Sequence, residues 1–118
     1  MEIQTLTEKA MELRAHFDRA AQTAGRLPWT TEQIMQGFVV DVGALMKLVM
    51  AKAGSRDVPD VDRKLGHELA DCLWSVLVLA KCYKLDLEKE FLSMIETVST
   101  DLAPSKTTPL SHPSTDKP

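Results

Sequence analysis

Three acidic residues stand where the chain is otherwise most apolar. Asp41 lies within Phe38-Val39-Val40-Asp41-Val42-Gly43-Ala44-Leu45, and Glu68 and Asp71 lie within His67-Glu68-Leu69-Ala70-Asp71-Cys72-Leu73-Trp74. A carboxylate among aliphatic side chains is costly unless a cation or a hydrogen-bond donor meets it. On a helix, Glu68 and Asp71 at i and i+3 share a face, so their oxygens open onto one space. An antiparallel neighbour carrying Asp41 would bring a third carboxylate to it. Hard divalent cations such as Mg2+ take oxygen clusters of this kind, keep waters, and join carboxylates to a phosphate. The same acids admit a plainer account, in which Asp71 pairs with Lys64 or Arg63, caps a neighbouring helix, or accepts a bond from Trp74 of a facing chain.

The elements that must position these acids are helices. Ile3, Leu6, Ala10, Leu13, Phe17 and Ala20 recur at three- and four-residue steps, an amphipathic period that Gly25 closes. Thr30 followed by Gln33 reads as a capping box opening a second helix that runs to about Ala53, ahead of Gly54. Asp57, Pro59 and Asp60 supply start signals for a third, from about Val61 to Lys84, and Asp86 caps a fourth that reaches about Asp101. No strand-like alternation and no internal repeat is present. The expected architecture is all-α, a four-helix bundle over residues 1–102. Helix two is apolar on nearly every face and helix three broadly apolar after Glu68, more than two flanking helices can cover, so a homodimer or a dimer of dimers is expected to complete it. Residues 103–118, rich in Pro, Ser and Thr, read as a mobile tail.

Composition narrows the possible partners. The chain has 118 residues, enough for one core, and a net charge of −3, which offers no polycation for nucleic-acid phosphates. Cys72 and Cys82 fall ten positions apart on one expected helix, too far to bridge, and read as reduced, buried thiols. The N-terminus shows no signal-peptide pattern, and the longest apolar run, Cys72 to Ala80, is shorter than a bilayer span. The reading is a cytoplasmic protein that binds neither nucleic acid nor membrane.

From Trp29 through Phe91 the chain resembles the MazG-like nucleoside triphosphate pyrophosphohydrolases, an all-α group. Val40-Asp41-Val42-Gly43-Ala44 aligns with the EExxE motif of that family, and Glu68-Leu69-Ala70-Asp71 with its ExxD motif. Val40 and Ala44 replace two of the three glutamates of the first motif, and Asp41 is a shortened third. The resemblance implies a MazG-like bundle whose Asp41, Glu68 and Asp71 hold Mg2+ on a nucleoside triphosphate. Water would attack the α-phosphate, oriented by Asp41 or Glu68 as the catalytic carboxylate, releasing a monophosphate and pyrophosphate in nucleotide-pool house-cleaning. Lys47 and Lys52 would neutralise outer phosphates, and Trp29 would stack on the base; as ordinary residues, the lysines are solvated and Trp29 staples a loop to the core. His67 is assigned a supporting or surface role. The other reading is a MazG-like module that has lost turnover and binds nucleotides or proteins, or a plain dimerisation bundle.

Overall fold

The computed structural model describes residues 2–103. Regular structure among them is helical throughout: α1 (Ile3–Thr23), α2 (Thr31–Lys52), α3 (Val61–Cys82) and α4 (Leu87–Leu102). Apart from Ala103, the expected tail lies outside the described residues.

The helix ends follow local chemistry. At the start of α2 the Thr30 hydroxyl accepts from the Gln33 N–H at 3.1 Å, and the Thr30 N–H donates to Gln33 Oε1 at 2.9 Å, so the expected capping box is formed. α1 closes through Gly25 at φ +75°, with Gly25 N–H donating to the Gln22 carbonyl and Arg26 N–H to that of Ala21. α2 closes in the same way through Gly54 at φ +90°. α3 ends at Cys82, two residues short of the expected Lys84, because Lys84 itself takes the left-handed conformation at φ 58°. Asp60 precedes α3 as expected, but with φ 61° and no capping bond from its side chain, which accepts instead from Arg63 Nε at 2.9 Å.

α1, α2 and α3 form one unit, Met1–Asp86, and α4 belongs to a second that begins at Leu87. Within the first unit α2 packs on α3, and α1 also packs on α3. The pairings of Asp41 with Glu68 and Asp71, and of Lys52 with Asp62, run in opposite senses along the two helices, which makes α2 and α3 an antiparallel hairpin. Its core holds Ile34 and Leu48 from α2 and Leu77 and Val78 from α3, with Ala10 and Ala21 allowing α1 to approach. Full burial of an aliphatic side chain such as Val78 contributes roughly 1.5–3 kcal/mol, a gain that the outer face of α2 does not share in a single chain.

That outer face is extensive. Met35, Val39, Val42, Met46 and Val49 are all exposed and recur at alternating steps of four and three residues. Although the longest apolar run in the sequence is short, α2 taken as a helix is long and apolar enough to cross a membrane by length and composition. Its central Asp41, however, faces two further carboxylates, an arrangement of high cost in hydrocarbon. In its own unit, α4 carries Phe91, Met94, Ile95 and Val98 on one face as expected, with no residue buried.

Candidate metal centre and adjoining cavity

The α2–α3 hairpin brings the three acids together. One carboxylate oxygen from each of Asp41, Glu68 and Asp71 lies within 4.8 Å of the others, and all three residues are half-buried. Glu68 Oε1 is buried without any hydrogen-bond partner, a state that costs about 1–3 kcal/mol for a polar atom. Burial pushes the Glu68 carboxyl above the ordinary carboxylate range. The Asp41 carboxylate close beside it and then the charge of Asp71 add to the rise, and His67 opposes it.

The neighbours of the cluster do little to neutralise it. Asp71 pairs with His67, Nε2 to Oδ2 at 3.4 Å, rather than with Lys64 or Arg63, and the His67 ring is largely exposed. Trp74 does not serve Asp71 either, because its Nε1–H donates to the Ala10 carbonyl at 3.0 Å. The Cys72 thiol is pushed up, first by burial and then by the three acids, which keeps it protonated and unreactive. Three hard oxygen donors, mutually repelling and with one buried oxygen unpartnered, fit a divalent cation such as Mg2+.

The remaining sequence-assigned positions fall in different places. Ala44, one turn beyond Asp41 on its side of α2, is half-buried and offers a methyl group, whereas Val40 is 71% exposed. Lys47 is exposed. Lys52 bonds Asp62 at 2.8 Å and so ties the end of α2 to the start of α3. Trp29 lies at the mouth of a cavity in the same unit, beside Ile34, in the positions of a hydrophobic staple ahead of α2.

That cavity was not foreseen from the sequence. It encloses about 320 Å³, and Arg14, Phe17, Asp18, Trp29, Ile34 and Trp74 line it. Phe17 meets Trp74 edge to face, with ring centroids 5.7 Å apart and planes at 77°. The period makes Phe17 one more apolar position of α1, yet it is 54% exposed, because it borders an opening rather than a packed core. Trp74 follows Asp71 by three residues and Ile34 precedes Asp41 by seven. At about 1.5 Å per residue, those offsets are roughly 5 Å and 10 Å along the two helix axes. The cavity and the acids are therefore neighbours along one hairpin.

No protein-family model, curated protein or solved structure matches the chain.

Proposed function

We propose that this protein is a Mg2+-dependent nucleotide pyrophosphohydrolase of the MazG-like type, converting a nucleoside triphosphate to its monophosphate and pyrophosphate. The observation that carries the reading is the Asp41–Glu68–Asp71 cluster with its unpartnered buried oxygen. The aromatic cavity one to two turns along the same helices supports it, since a nucleotide separates a flat ring from its phosphates by a comparable distance.

In this reading Asp41, Glu68 and Asp71 hold the cation. When bound, Mg2+ supplies charge neutralisation on the phosphates and polarisation of the phosphorus under attack. Asp41 or Glu68 orients the attacking water and accepts its proton. The new bond joins the water oxygen to the α-phosphorus, and the bond from that phosphorus to the oxygen bridging the β-phosphate breaks. Trp29 and Trp74 bound the space for the base. Lys47, exposed on α2, supplies positive charge toward outer phosphates, whereas Lys52 does so only by leaving Asp62.

A second reading, a catalytically impaired nucleotide-binding or interaction module, is favoured by Ala44. Its methyl group occupies the position, one turn from Asp41, where the resemblance calls for a carboxylate. One experiment separates the two. Pyrophosphate release is measured with and without Mg2+ on a panel of standard and modified nucleoside triphosphates, for wild type and for Glu68→Gln/Asp71→Asn. Mg2+-dependent release that disappears in the double variant is the expected result. A folded wild type that binds these nucleotides by calorimetry but releases nothing overturns the enzyme in favour of the binding module.

The exposed stripe on α2 completes the proposal. A second copy of the chain covers Met35, Val39, Val42, Met46 and Val49, whose four-three spacing is that of a helix-packing seam.

A further inference from the structure

Trp29 sits in a linker and is 55% exposed, yet it is held from two sides. On one side Arg14 of α1 donates through Nη2 to the Trp29 carbonyl at 3.3 Å, while Nη1 of the same guanidinium donates to Cys82 Sγ at 2.8 Å. A single side chain thus links α1, the end of α3 and the linker. On the other side the indole lies over Gly37 of α2. A Cβ built there would stand 2.9 Å from Trp29 Cζ3 and 3.4 Å from Cη2. Such an approach cannot persist, and the indole tip, being the far end of a side chain, is what would give way.

Gly37 differs in this from the other glycines inside helices. A Cβ at Gly43 or Gly66 meets nothing within 4 Å. Glycine weakens the interior of any helix, so its place at 37 costs α2 stability without relieving any backbone strain. What the missing side chain provides is room for one face of one ring.

We propose that Gly37 is a positioning residue. Its absent side chain, together with the Arg14 bond, fixes the Trp29 indole as a wall of the 320 Å³ cavity, against which the flat ring of a ligand stacks. The identity of that ring as a nucleobase rests on the nucleotide reading above. A wall already in place spares the ligand the cost of ordering a loose tryptophan on binding.

The test uses the full chain with both tryptophans replaced by 5-fluorotryptophan, their 19F resonances assigned through Trp74→Phe. Wild type, Gly37→Ala and Arg14→Met are compared, with AMP and CMP as ring probes in the absence of metal and Mg2+ titrated separately. Gly37→Ala is expected to fold with the helical circular dichroism of wild type, alanine's helix propensity offsetting the staple contact that the displaced indole gives up. It is expected to shift the Trp29 resonance, to leave that of Trp74 in place, and to weaken monophosphate binding about tenfold, the order of one lost base–aromatic stack. Mg2+ affinity should not change. Arg14→Met, which leaves α2 untouched, should weaken binding in the same direction. A Gly37→Ala variant that loses the helical fold assigns Gly37 to packing and overturns the proposal. So does one whose Trp29 resonance stays put, or one that binds as wild type does. A wild type that binds neither monophosphate overturns the nucleotide reading, and the proposal with it.

Discussion

Glu68 is the residue whose behaviour most directly reports on the cluster. Burial and the neighbouring acids raise its proton affinity in the folded chain above that of an unfolded glutamate. The folded state therefore holds the proton more tightly. Its contribution to stability is fully present below the ordinary carboxylate range and is lost as pH rises through the raised value. In Glu68→Gln that slope disappears. Thermal unfolding without divalent cations, followed from about pH 4 to pH 7 where carboxylates titrate, should show wild type losing stability relative to the variant as pH rises. At the upper end the variant should melt at the same temperature as wild type or higher. Added Mg2+ should then raise the melting temperature of wild type and leave the variant nearly unmoved. A variant that parallels wild type across the range would place the repulsion elsewhere. Glu68 and Asp71 were legible as a pair from their spacing alone, and Asp41 needed only an antiparallel partner. The contact of Arg14 with Cys82 and the seat of Trp29 on Gly37 were not legible. Such contacts join residues from separate elements and leave no period in the sequence.

The three helices of the first unit share one ending, in which two backbone N–H groups just past the helix return to carbonyls of its last turn. Gly25 and Gly54 announced two of those endings, because glycine takes positive φ without a steric penalty. The third was hidden. Lys84 adopts φ 58° against the preference of an L-residue, so nothing in its type marked the boundary, and the periodic reading ran past Cys82. Lys84→Gly is expected to stabilise the protein by about 1 kcal/mol, the usual cost of a left-handed non-glycine residue. Urea unfolding should show the gain as a higher midpoint at constant slope. An unchanged midpoint would mean that the Lys84 side chain returns as much as its backbone costs.

The hairpin exposes on α2 as much apolar character as its sequence suggested, and nothing within its unit covers it. The all-helical class and the order of the helices were readable from period and caps. The partner of that face was not, because one chain's sequence records the need for cover without saying what provides it. If a second copy does, Val39→Lys and Met46→Lys should each shift light-scattering mass from dimer, or dimer of dimers, toward monomer while helical circular dichroism is retained. A wild type that is already monomeric across the accessible concentrations would remove the self-association account.

The cavity and the acid cluster draw on different parts of the chain. α1 lends the cavity Arg14, Phe17, Asp18, Ala20 and Ala21 but lends the cluster no carboxylate, all three of which come from α2 and α3. Sequence drift in α1 can thus reshape what fits the cavity while the carboxylates stay as they are. In the proposed reading, the side chains that α1 turns to the cavity would set which ring it accepts, while buried Ala10, whose carbonyl holds Trp74, keeps the helix seated on a hairpin that carries the carboxylates.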